Sequence, residues 1–248
     1  MDFADIRTLN GDQGHGKSVT AVALPVDDYY ANLNQVVSPE GELFRARALN
    51  EDEQYLFEER GLYYDPLRHV RIFAGEAKDD RSKIITLPLN WTVLSPVKIF
   101  ANFHFYGIKF VLIDAYSLIE YMNEDNFFRD AWVILDESVQ VDKQDTMTRE
   151  GKLTQKFGAQ VAKRDLHFVI CVQYQHMLQS RMALFATTKV LCSYDSDTGI
   201  VSLDVNDNSP MMVSTDYYSI PYRRFYKRGE VIKVSQKKID QILSTAGG

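Results

Sequence analysis

The chain has 248 residues, 45% of them apolar and 25% charged, which is room and material for one large α/β core and excludes a disordered or collagen-like chain. Its net charge of −6 argues against a general nucleic-acid coat, although Arg223, Arg224, Lys227, Arg228, Lys233, Lys237 and Lys238 face a single acid, Glu230, in the stretch from 221 to 238. No run of about eighteen apolar residues suggests a membrane helix, and the start Met1-Asp2-Phe3-Ala4-Asp5 lacks the basic and apolar regions of a signal peptide. Cys171 and Cys192, the two cysteines, both fall in apolar runs and read as buried free thiols of an intracellular, soluble protein.

In chain order, residues 3–10 read as a short strand that ends in a glycine-rich turn, 11–16. A helix is expected from Lys17, carrying Val19, Ala21, Val22, Ala23 and Leu24, and stopping or kinking at Pro25. Residues 27–90 are irregular and rich in Tyr, Asp, Glu and Arg, with a helical run near 52–60; they read as an insertion on a single domain spanning 1–248. Beyond it, 98–102 and 109–113 read as strands and 117–122 as a helix. Residues 131–135, Ala-Trp-Val-Ile-Leu, form an apolar run suited to a central parallel strand buried on both faces. Then come a helix over 151–163, a second buried strand over 167–172, and strands at 189–193 and 200–205 joined by the turn Asp195-Ser196-Asp197-Thr198-Gly199. A last helix is expected at 236–243. Alternating strands and helices predict a doubly wound, mainly parallel α/β sheet with an antiparallel edge hairpin.

Gly11-Asp12-Gln13-Gly14-His15-Gly16-Lys17-Ser18 fits the pattern G-x-x-x-x-G-K-[ST]. Glycines let such a loop turn consecutive backbone N–H groups inward around a phosphate, and the following helix adds its unpaired N-terminal amides. Candidate nucleotide contacts are therefore Gly11, Gln13, Gly14, His15, Gly16, Lys17, Ser18 and Val19, with His15 a loop-tip residue of no fixed chemistry. Lys17 would reach the β and γ phosphates of ATP, and the Ser18 hydroxyl would ligate Mg²⁺. An acid pair, Asp136-Glu137, closes the apolar run 131–135. Asp136 is the candidate for the Mg²⁺ shell and Glu137 for polarising the attacking water, which favours hydrolysis over transfer to a bound hydroxyl. Gln173, after the strand 167–172, is placed to sense the γ-phosphate. Arg149, Arg164 and Arg181 are the candidates for an arginine acting on the transferred phosphoryl group.

The order of these motifs resembles the FtsK/HerA superfamily of DNA-pumping ATPases, in particular its viral genome-packaging branch and the related zonula-occludens-toxin-like phage ATPases. The residues that carry the resemblance are Gly11 to Ser18, Val133-Ile134-Leu135-Asp136-Glu137-Ser138, Arg149 in Asp145-Thr146-Met147-Thr148-Arg149, Lys163-Arg164-Asp165 leading to Gln173, Arg181, and Lys98-Ile99-Phe100-Ala101-Asn102, a strand ending in Asn. The resemblance covers about 1–20 and 98–190. It implies a P-loop NTPase fold of the RecA-like, additional-strand type, a hexameric ring that threads double-stranded DNA, and hydrolysis at subunit interfaces. It also implies Glu137 as catalytic base, Gln173 as γ-phosphate sensor and one of Arg149, Arg164 or Arg181 as a finger acting in trans. Capsid vertex or portal proteins would be the partners, in host cytoplasm or virion. The alternatives are an extrusion, secretion or conjugation ATPase on the same core, and a slow nucleotide-dependent assembly switch.

Overall fold

A computed structural model describes residues 5–74, 81–113, 129–136, 160–173, 186–207 and 211–227. The chain divides into two compact units, one of Met1–Ala23, Ile99–His104 and Phe110–Gly248, the other of Leu24–Lys98 and Phe105–Lys109. The strands in chain order are β1 (Asp5–Asn10), β2 (Gln35–Val37), β3 (Leu43–Ala48), β4 (His69–Ala74), β5 (Arg81–Thr86), β6 (Thr92–Leu94), β7 (Lys98–Ala101), β8 (Val111–Leu112), β9 (Ala131–Leu135), β10 (Leu166–Cys171), β11 (Thr188–Tyr194), β12 (Ile200–Asn206) and β13 (Val213–Tyr218). Two α-helices are described, α1 (Lys17–Ala31) and α2 (Glu51–Glu59).

The first unit is built on an eight-stranded sheet in the order β13-β12-β11-β1-β10-β9-β7-β8. Strand β1 pairs in parallel with β10 and β11, and β10 with β9, while β12 and β13 add antiparallel to the β11 side. The expected mainly parallel α/β sheet with its edge hairpin is therefore present, extended by β13. The core is apolar because the parallel strands are covered on both faces. All five residues of β9 are buried, and Ile6, Phe100, Val133, Leu135, Leu166, Phe168 and Ile170 pack in one cluster. Fully burying each of the larger of these side chains stabilises the unit by about 2–3 kcal/mol.

At the start of the strands, Asp5 bonds the His167 ring at 3.0 Å and pairs with Arg7, and His167 stacks on Trp132 with ring centres 4.5 Å apart. Burial opposes ionisation of Asp5, but the His167 and Arg7 contacts outweigh it and hold the carboxyl below its ordinary value.

Helix α1 does not stop at Pro25; it continues to Ala31. Proline removes one backbone donor, yet Val26, Tyr29 and Tyr30 beyond it are buried, and that burial outweighs the missing bond. The strand expected at 109–113 shortens to the two residues of β8. The helices expected at 117–122 and 236–243 lie outside the described residues, as does all but the end of the one at 151–163.

The second unit holds a five-stranded antiparallel sheet, β5-β4-β3-β2-β6. Most of the irregular stretch 27–90 falls here. In β3 and β4 Arg45, Arg47 and Arg71 alternate with Phe44, Ala46, Val70 and Ile72, so a period-two pattern is present but only a few residues long, and Ala46, Val70 and Ile72 form the buried face with Val36. Helix α2 buries no residue and is held by its N-terminus. Asn50 and Glu53 form a reciprocal capping box, the Asn50 side chain accepting from the Glu53 N–H at 2.9 Å and Glu53 from the Asn50 N–H at 3.0 Å. The same Glu53 carboxylate accepts two bonds from Arg47 of β3, at 2.7 and 2.8 Å, and one from Arg71 of β4 at 2.5 Å. The Arg47 contact, helped by Asn50 and Arg71 and opposed by burial, pulls its pKa from 4.5 to about 2.

A carboxylate depressed in the folded state stabilises above its unfolded pKa, and that contribution drains away as pH falls from 4.5 toward about 2. Glu53→Gln is therefore expected to lower the urea midpoint of this unit at pH 7 and to flatten its pH dependence below 4.5. Trp91 is the tryptophan of this unit, so its fluorescence in a Trp132→Phe background reads the effect.

Candidate functional site

Three strand ends and one loop make the site. Strand β1 stops at Asn10, and the chain turns through Gly11, Gly14 and Gly16, whose φ angles of 143°, 90° and 87° are open to glycine but strained for other residues. Space imposes a second demand at two of them. A Cβ on Gly11 would lie 2.7 Å from the Cys192 carbonyl oxygen of β11, and one on Gly16 would lie 3.0–3.1 Å from the Val201 methyls of β12. Helix α1 begins directly after, at Lys17, so its first N–H groups face the loop. The Lys17 ammonium folds back on this turn, donating to the Gly11 carbonyl at 2.5 Å and the Asp12 carbonyl at 2.8 Å. Those carbonyls hold a mobile cation over the concave side of the loop, where an anion would compete for it. Ser18 and Val19 sit on the first turn of the helix, half-buried and buried.

The acid arrives from β9, which is one strand removed from β1 rather than beside it, since β10 lies between them. Two inter-strand spacings put β1 and β9 about 10 Å apart. That width suits a phosphate chain and its metal. Asp136 follows β9 and is buried, and its backbone is clamped by Asn102, the residue after β7. The Asn102 side chain accepts from the Asp136 N–H and donates to the Asp136 carbonyl, both at 2.8 Å. The strand ending in Asn thus has a mechanical meaning, which is to fix where the acid leaves the sheet.

Between loop and acid stands Cys171, the last residue of β10, paired in register with Leu9. Its thiol approaches the Lys17 carbonyl at 3.9 Å. Burial first, then the Asp136 carboxylate, push this thiol well above its ordinary value, so it remains an S–H that donates to Asp136. From the sequence Cys171 reads as a buried thiol; its place at the end of an apolar run, two residues before Gln173, is the available signal. Burial also raises Cys192, to about 11. Gln173 is exposed at the same edge, on the chain leaving β10 between the loop and Asp136.

Of the arginines, Arg164 ends a 3₁₀ turn (Ala162–Arg164) before β10, at the opposite edge of the sheet, and is buried. A buried guanidinium at that end does not reach a phosphate site at the other, and burial argues against its extension into a neighbouring copy. Glu137, Arg149 and Arg181 lie outside the described residues. Among the described residues no cluster of three His, Cys, Asp or Glu side chains stands ready for a metal. Ser18 and Asp136 are oxygen donors of the right kind, beside a loop shaped for an anion.

No family model matches the chain, and no curated protein matches it in sequence. Among solved structures, the N-terminal domain of zonular occludens toxin from Neisseria meningitidis superposes with a TM-score of 0.51 at 11% identity, over 91% of this chain and all of that one. The genome packaging NTPase B204 of Sulfolobus turreted icosahedral virus 2 gives 0.44 at 10% identity, over 86% of this chain and 96% of that one. EssC (ATPases 2 and 3) from Geobacillus thermodenitrificans gives 0.43 at 9% identity, over 96% and 42%. The fold assignment rests on the first of these, and it agrees with the strand order and loop geometry above: the chain has a P-loop NTPase fold.

Two variants test the geometry. Gly11→Ala meets a backbone oxygen and a strained φ together, and should abolish nucleotide binding measured by calorimetry while lowering thermal stability. Asn102→Ala removes both side-chain hydrogen bonds to the buried Asp136 backbone and should cost about 2–4 kcal/mol in urea unfolding, with a larger proportional loss of turnover.

Proposed function

We propose that this chain is an ATPase that drives double-stranded DNA through a ring of its own copies, as a viral genome-packaging motor does. The observation that carries the ATPase part is the meeting of loop and acid. Gly11 to Ser18 and Asp136 occupy the same edge of one sheet, and Cys171 touches both. The order of motifs along the chain supports the packaging part.

In this reading the loop amides and the start of α1 bind the phosphates, and Lys17 exchanges its carbonyl partners for β and γ oxygens. Ser18 and Asp136 would hold Mg²⁺, which when bound neutralises charge between the β and γ phosphates. Asn102 would fix the Asp136 backbone at that edge, and Cys171 would stand between it and the loop. Glu137 would take the proton of the attacking water, and Gln173 would sense whether a γ-phosphate is present. Arg149 or Arg181, from a neighbouring copy, would stabilise charge on the transferred group. DNA would be held through its phosphates by the basic residues from 221 onward and by pore loops, so without sequence preference. A capsid vertex or portal protein would anchor the ring. Among the described residues no helix is long and apolar enough to cross a membrane.

Steady-state hydrolysis with and without duplex DNA tests this. Duplex of any sequence should raise the rate, with the stimulation falling as salt rises. Lys17→Ala should lower the rate by about 10²-fold or more, and Glu137→Gln should leave ATP bound and unhydrolysed. Equal rates with and without DNA, in a preparation shown to be oligomeric, would remove the translocation reading. Failure to bind ATP at all would remove the ATPase reading as well.

A further inference from the structure

The two flanks of the phosphate loop differ in chemistry. On one side lie β10 and β9 with Cys171 and Asp136, where the magnesium-bound end of a phosphate chain belongs. On the other side β11 outruns β1. Leu191 pairs with Asn10, the end of β1, and Cys192, Ser193 and Tyr194 continue alongside the loop. The Tyr194 Cβ lies 3.6 Å from the place where a Gly16 Cβ would be. Strand β13 brings a second aromatic ring: the Tyr217 hydroxyl shares a hydrogen bond of 2.9 Å with Thr20 Oγ1 on the first turn of α1. A third ring, Tyr222, meets Tyr217 edge to face at 5.7 Å.

Over Tyr194 lies the Arg223 guanidinium, 4.9 Å from the ring centre and bonded to the Tyr194 hydroxyl. Arg223 is exposed and Tyr194 half-buried, so neither is part of the core.

We propose that Tyr194 and Arg223, backed by Tyr217, form the seat of the nucleotide's base, a purine. The proposal rests on the phosphate-site reading given above. A triphosphate whose terminal phosphates lie toward Asp136 leaves its nucleoside on the β11 side, where this cluster is the stacking surface beside the loop. A cation already lies over the Tyr194 ring, and a base would add to that surface by stacking on the ring or the guanidinium. A purine, with two fused rings, covers more of that surface than a pyrimidine. Arg223 is thereby withdrawn from the basic stretch assigned to DNA.

Calorimetry on the full chain separates base from phosphate by comparing MgATP, MgCTP and magnesium tripolyphosphate. Arg223→Ala and Tyr194→Leu should each weaken ATP binding about tenfold, leave tripolyphosphate unchanged, and reduce the preference of ATP over CTP. Unchanged ATP affinity in both variants would overturn the proposal, and a loss of DNA stimulation alone would return Arg223 to the DNA surface. An equal loss for ATP and tripolyphosphate would also overturn it, because the side chains would then act through the loop. If the wild-type chain binds tripolyphosphate but these variants behave as wild type, only the base seat falls; if it binds neither ligand, the phosphate site falls with it.

Discussion

The glycine loop between β1 and α1 curls where it does because two of its positions have no room for a side chain. Gly11 runs against a backbone carbonyl of β11, which cannot move without breaking the sheet, and Gly16 runs against Val201 of β12. Contact with the neighbouring strands therefore shapes the loop from outside, before any ligand is present. The start of α1, the fold-back of Lys17 and the distance to Asp136 all follow from that seating. Preorganisation of this kind spares the ligand much of the ordering cost of binding.

The parallel core was legible because physical chemistry leaves little choice there. A run such as Ala131 to Leu135, apolar at every position, is stable only as a strand covered on both faces, and its burial is complete. The glycine spacing was legible for a similar reason, since few other uses require those residues in that order. The pairing of strands was not. Nothing in the residues of β10 says that it inserts between β1 and β9; that is a long-range choice made by packing. The continuation of α1 past Pro25 could not be read locally, because the burial of Val26, Tyr29 and Tyr30 that offsets the proline's cost depends on the fold.

The second unit shows the same limit from another side. Its strands alternate arginines with apolar residues over runs too short to stand out from a polar stretch, and two of those arginines, Arg47 and Arg71, bond Glu53. A single carboxylate thus joins a helix start to two strands. The meaning of Asn102 was only partly readable: its place at a strand end could be seen, but its two-way bond to the Asp136 backbone needed the fold. Cys171 was visible as an apolar-run cysteine and nothing more.

The contacts at the far end of the strands bear on the site in a way their distance conceals. Asp5 and Arg7 of β1, His167 of β10 and Trp132 of β9 interlock across the three strands that carry the loop, the thiol and the acid. Side chains alternate faces along a strand, so a slip of one residue in β9 would turn Asp136 toward the opposite face and move it a whole residue along the edge. The interlock acts as a ratchet stop against that slip: the alignment of loop, thiol and acid is secured by residues that never approach them.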